Sequence, residues 1–204
     1  MANKKEKTKK VSKNFCKENY SLSWKYIKES KNYILFIIGV FLVSALIAVF
    51  YQPPEVVKMI QEFIQQLVNK TENLNSWQMI FFIFNNNFQS SFFSMILGLF
   101  LGVFPFLAAF SNGYVLGFVS EKVVVAEGIS SLWRLMPHGI FEFPAIILSL
   151  ALGVKFGMFL FSKKSKKEEF IRRLRNSLRV FLFVVLPLLI VAAIIEGILV
   201  VMLR

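Results

Sequence analysis

Aspartate is absent from this 204-residue chain, and cysteine and histidine occur once each, as Cys16 and His138. Without aspartate there is no aspartyl protease dyad. A single cysteine gives no disulfide framework and no thiolate metal site. His138 and Glu142, four apart on a helix, have the spacing to share an ion, but no second histidine or aspartate completes a catalytic zinc set. Neither a phosphate-binding Walker loop nor a serine nucleophile elbow occurs. No catalytic residue, no metal and no cofactor is assigned.

What the chain has is apolar surface. Hydrophobic residues make up 56%, 24 residues are phenylalanine, and the mean hydropathy is +0.60. One soluble core of this size cannot hide that much, and the apolar residues come in long blocks, so lipid is the expected solvent. The net charge of +12 is confined to two places. Ten lysines lie between Lys4 and Lys31, and eight Lys or Arg lie between Lys163 and Arg179. Basic blocks flanking apolar spans read as cytoplasmic segments beside anionic lipid, and no groove-reading or base-stacking motif points to nucleic acid.

The expected architecture is an all-α membrane protein: a bundle of about five transmembrane helices and one external amphipathic helix. Residues 1–31 are expected to form a basic, partly disordered cytoplasmic tail, too long and charged for a signal-peptide start, and 32–204 the membrane domain. Around Trp24, Tyr26 and Ile27 a short interfacial helix is expected. The first crossing spans 33–51 and is stopped by Pro53 and Pro54. In 55–68, Val56, Ile60, Phe63, Ile64 and Leu67 share one face of an external amphipathic helix, followed by the sequon Asn69-Lys70-Thr71. Residues 77–84 read as an interfacial turn, and 88–110 as the second crossing, kinked by Pro105. Ser111-Asn112-Gly113 reads as a tight turn. An even number of crossings must separate the two cytoplasmic blocks, so 112–133 is taken as the third despite Glu121 and Lys122, with 136–161 the fourth. A cytoplasmic loop over 162–179 and a fifth crossing over 178–203 leave the C-terminus outside the plasma membrane.

Polar groups within such helices are costly, so their positions carry information. Ser149, Gly153 and Gly157 share a stripe with His138 and Glu142 on the fourth crossing. Ser94, Gly98 and Gly102 share one with Asn87 on the second, and Gly113 and Gly117 repeat the spacing on the third; such stripes are read as helix-packing surfaces. Counting depth along the helices brings His138, Glu142, Glu196, Asn86 and Asn87 to one level in the outer leaflet. Either these groups hold the helices together, or they line a cavity for a polar headgroup, a proton or a divalent ion. Lys155, near the inner end, is expected to snorkel to the cytoplasm.

The string Met136-Pro137-His138-Gly139-Ile140-Phe141-Glu142-Phe143-Pro144-Ala145-Ile146, followed by Gly153, resembles the signature of the stage II sporulation protein M family. The Asn-Asn pair, Ser111-Asn112-Gly113 with Gly117, and Glu196 are similar to that family's pattern too. The resemblance implies a multi-pass membrane protein working with peptidoglycan-degrading partners in septal thinning and engulfment, with family members also in organisms that make no spores. It singles out His138, Glu142, Asn86, Asn112 and Glu196, with no chemical role attached. Two functions follow: a non-enzymatic scaffold in an envelope-remodelling complex, or a transporter, channel or lipid-translocating protein built on His138, Glu142 and Glu196. An intramembrane hydrolase is the weakest fit. Expected partners are the lipid bilayer and other membrane or envelope proteins, with a homo-oligomer left open.

Overall fold

Every regular element among the described residues is helical. The computed structural model describes the backbone of residues 2–202 and the side chains of 15–132 and 139–200. In chain order the helices are α1 (Ala2–Glu29), α2 (Lys31–Phe50), α3 (Pro54–Thr71), α4 (Ser76–Leu97), α5 (Val103–Glu127), α6 (Met136–Gly157), α7 (Lys166–Val180) and α8 (Leu186–Met202). Short 3-10 segments at Ile129–Leu135 and Met158–Phe161 flank α6, and a π-helical turn, Phe181–Val185, joins α7 to α8. Four helical stretches are long and apolar enough to cross a membrane: Lys31–Phe50, Val103–Glu127, Gly139–Phe161 and Lys166–Val200. The chain is an all-α membrane protein.

Helix α6 is the centre of the bundle. Of its apolar window 61% is buried, against 22% for α2. One side of α6 packs Ala145, Leu148 and Leu152 with Met95 of α4 and Val185 and Leu189 of the α8 segment. The other side packs Leu150, Ala151 and Val154 with Ile37 of α2 and Ala109 of α5. Interhelical contacts set the directions: α2 and α5 run parallel, α4 and α6 run opposite to them, and α8 is antiparallel to α4. The bundle therefore has a basic end, carrying α1 and α7, and a far end carrying α3 and the Ile129–Leu135 segment.

Three helix boundaries differ from the sequence expectation. In place of the crossings expected at 88–110 and 112–133 stand α4, which begins twelve residues earlier, and α5, divided at Gly98–Gly102. Helix α4 begins at Ser76 because Asn75 and Gln78 form a reciprocal capping box, each backbone amide donating to the other's side-chain oxygen at 3.0 Å. The Gly98–Gly102 stretch turns the chain: Leu101 (φ 57°) and Gly102 (φ 75°) both take the left-handed region, which Gly102 adopts freely and Leu101 does not. Pro105 falls in the first turn of α5, where its missing N–H is no loss, so it starts a helix instead of kinking one. Ser111, Asn112 and Gly113 continue α5 without a turn; the Ser111 hydroxyl and Asn112 amide donate to Ala108 O at 3.2 and 2.7 Å. The tail expected to be partly disordered is helical from Ala2.

Candidate functional site

Two polar features share the middle of the bundle, and a single turn of α4 separates them. Asn87 faces inward, and its amide lies within interaction range of the Glu142 carboxyl of α6. Glu196 of α8 lies close enough to Glu142 for their charges to interact, and its Oε2 is buried without a hydrogen-bond partner. One amide and two carboxyls from three different helices thus converge. Gly197 and Ala193 make this possible. A Cβ on Gly197 would overlap Ile80 of α4, while Ala193 packs with Met79 and Ile83.

The next residue faces the other way. Asn86 is exposed, as are Asn85, Gln89 and Ser90, and on α5 Ser111 and Asn112 are exposed too. Between the two helices opens a lateral groove of about 570 Å³, with Gln89, Ser90, Ser94 and Ser111 against Phe93 and Phe104. Asn86 lies about 15 Å from either end of α4, the middle of a bilayer-length helix. Within this set Gln89 Nε2 donates to Asn85 Oδ1 at 3.1 Å and Asn112 Nδ2 to Ala108 O at 2.7 Å, and the Asn86 side chain faces outward. In hydrocarbon each such group costs free energy.

Close helix contacts fix these positions. A Cβ on Gly98 would overlap the carbonyl of Gly153, and one on Gly157 would overlap that of Gly98. Ser149 Oγ donates to Ser91 O at 2.7 Å across the same interface, and Ser94 O lies 3.0 Å from a Cβ built on Gly153. Gly102, although in the turn, sits 3.2 Å from Val154 Cα by the same measure. On the α2–α5 side, Gly113 and Gly117 meet the carbonyls of Phe41 and Ala45. Higher on that pair, Tyr114 donates to Tyr51 O at 2.6 Å and Gln52 donates to Glu121 at 3.2 Å. Glu121 and Lys122 therefore sit at the far end of α5, paired with each other at 3.0 Å.

At the basic end a second polar network closes the bundle. Lys155 does not snorkel; it is buried beneath α1, 3.6 Å from the centre of the Tyr26 ring, and donates to Ser30 Oγ at 3.0 Å. Glu169, only 3% exposed, receives Arg172 and Arg173 at 2.9–3.0 Å, and Arg173 also donates to Lys155 O. The Arg172 guanidinium, with Arg173 behind it, holds the Glu169 carboxyl down to about 2, and burial pushes Tyr26 up to about 12.

A family model described as stage II sporulation protein M matches residues 26–200. The chain belongs to that family. Among its relatives is the uncharacterized protein MJ0706 of Methanocaldococcus jannaschii, 34% identical over 132 residues, which are 62% of this chain and 58% of that protein. No solved structure matches the chain.

Of the residues singled out from the sequence of this sporulation protein M family member, Asn87, Glu142 and Glu196 come together. Asn86 and Asn112 lie on exposed faces of α4 and α5, Asn86 because one residue along the helix turns it away from the face that points Asn87 inward. The His138 side chain falls outside the described residues. Among those described, no group of three or more His, Cys, Asp or Glu has the arrangement to hold a metal ion. Sequence reasoning missed Gln89, Gly197 and the Lys155–Glu169 network. Gly197, next to Glu196 and four from Ala193, carried a readable small-residue signal. The buried lysine carried none, because only α1 folding back over it explains its burial.

Proposed function

We propose that this chain is a non-enzymatic scaffold of a membrane or envelope-remodelling complex in the plasma membrane. The N-terminal basic helix faces the cytoplasm and the C-terminus lies outside. The two basic blocks at one end support that orientation through the excess of Lys and Arg in cytoplasmic segments. Five crossings follow if α4 is included. It is free of charge and bilayer-length, and its amides and serines lower its hydropathy.

The observation that carries the scaffold reading is the amide face of α4 and α5 at mid-bilayer depth. Asn and Gln at that level are stable when a second polar transmembrane helix supplies their hydrogen bonds. Ser90, Ser94 and Ser111 leave room for its backbone. The test is purification from the native membrane in mild detergent, comparing the wild type with the Asn86→Leu/Gln89→Leu variant. A stoichiometric membrane partner should accompany the wild type and be lost from the variant, whose own stability is unchanged or improved. A wild type that runs alone, or a partner retained by the variant, removes the reading.

A second reading rests on a different observation. The Asn87–Glu142–Glu196 convergence is an acidic site within a bundle, as a transporter, channel or lipid-translocating protein would need. Flux or lipid scrambling in vesicles, slowed at least roughly tenfold in Glu142→Gln and Glu196→Gln, would support it. Transport that ignores both substitutions would leave the carboxyls a structural role.

A further inference from the structure

The arginines of α7 divide into two sets. Glu169 holds Arg172 and Arg173. Arg175 and Arg179 follow Arg172 along one stretch of α7 surface, all three bordering a groove with Glu168 and Asn176, and among the described residues no carboxylate forms an ion pair with Arg175 or Arg179. Both line a groove of about 410 Å³ between α1 and α7. Arg179 is fixed there by two acceptors: its Nε donates to Asn19 Oδ1 at 3.0 Å and its Nη1 to Asn176 Oδ1 at 2.7 Å. The remaining guanidinium edge carries further N–H donors. Arg175 is exposed beside it.

The rest of the groove is apolar. Leu178, Leu182 and Phe183 continue its wall from α7 into the apolar span, and Leu182 is 55% exposed. Phe183 makes edge contacts with Phe15 (6.2 Å) and Tyr20 (5.9 Å), and Asn19 of α1 lines the opposite side of the groove. Two guanidiniums at the polar rim and a hydrocarbon wall running into the membrane match one chemical object.

We propose that the α1–α7 groove binds an anionic diacyl phospholipid, its phosphate on Arg175 and Arg179 and an acyl chain along Leu178, Leu182 and Phe183. The surrounding lysines attract anionic lipid diffusely; this groove selects a single molecule through the bidentate geometry of arginine with phosphate. Glu168 borders the adjoining groove beside Arg175 and Arg179, and its charge opposes the ligand's. The site is independent of which end of the bundle faces the cytoplasm and of the partner proposed for α4 and α5.

The test uses the purified full chain in non-ionic detergent, with lipids retained per protein counted by native mass spectrometry. Dioleoyl phosphatidylglycerol, dioleoyl phosphatidylcholine and inorganic phosphate are titrated separately and in competition. The wild type should retain one phosphatidylglycerol at concentrations where phosphatidylcholine is not retained. Arg175→Gln/Arg179→Gln should weaken retention roughly 30-fold, and Glu168→Gln should strengthen it. Leu182→Gln, which keeps both cations, should weaken it as well. Arg175→Gln alone, at an exposed residue with no partner to lose, should weaken it roughly fivefold and covers the case in which losing the Arg179–Asn19 tie disturbs α1. The proposal is overturned if Lys163→Gln/Lys164→Gln, the same charge loss outside the groove, weakens retention equally, or if phosphatidylcholine binds as well. Displacement of the lipid by millimolar inorganic phosphate, with Leu182→Gln silent, would make the groove a phosphate site and likewise overturn it.

Discussion

Glu169 is the carboxylate on which the basic end depends, and its environment sets the direction of a pH effect. Its folded-state value lies near 2, below that of an exposed glutamate. The stabilisation it supplies is complete above the ordinary glutamate range of about 4.3 and is lost as pH falls from there towards 2. The Glu169 contribution to thermal stability in detergent should therefore be constant down to about pH 5 and fall steeply below about 4, read as the difference between wild type and Glu169→Gln. Glu169→Gln should remove most of that slope. It should also lower stability by about 3 kcal/mol, the low end for breaking a buried ion pair, since Arg172 is partly exposed. Lys155 gives a companion prediction. Lys155→Met removes the ring contact with Tyr26 and the bond to Ser30, so α1 should exchange amide hydrogens faster while α5 is unaffected.

At the scale of elements, glycines decide where helices touch. Gly98→Val places side-chain atoms inside the Gly153 backbone, so α4 and α6 must separate; the expected loss is about 3 kcal/mol, or a protein that no longer elutes as a single monodisperse peak. Gly39 is the contrast, with nothing within 4 Å of an added Cβ. Gly39→Ala should gain up to about 1 kcal/mol through helix propensity. Much of this was legible in the sequence. Small residues at four-residue spacing marked the α4–α6 and α2–α5 contacts, and the apolar blocks marked α2, α6 and α8. The boundary between α4 and α5 was not legible. Its glycines look the same whether they end a helix or let one approach, and here they do both. Ser111-Asn112-Gly113 has turn composition, yet the fit of Gly113 against Phe41 outweighs that local preference. The Asn75–Gln78 capping box was present to be read and would have placed the start of α4.

For the whole molecule, the open question is orientation, and the chain's own chemistry provides the probe. Cys16 is the only thiol and is exposed. In intact cells a membrane-impermeant maleimide should leave it unlabelled, and permeabilisation should expose it. In a Cys16→Ser background, Lys70→Cys at the end of α3 should label from outside without permeabilisation. The reverse pattern would invert the molecule and place both basic blocks outside. Counting residues from helix ends groups Glu142, Glu196 and Asn87 but sets them in the outer leaflet, whereas α4 begins at Ser76 and carries Asn87 near its middle. Counting depth could not tell which of two adjacent asparagines points inward, because that depends on the rotation of α4 about its axis.

That rotation ties two neighbours together. Asn86 and Asn87 are rigidly offset by about 100° on one turn. A partner that turned α4 by way of the first asparagine would change the angle at which the second meets Glu142, and a change at Asn87, Glu142 or Glu196 would reach the outer flank by the same route. Because one rigid helix carries both, a substitution at either asparagine is to be judged by readouts on both faces of α4.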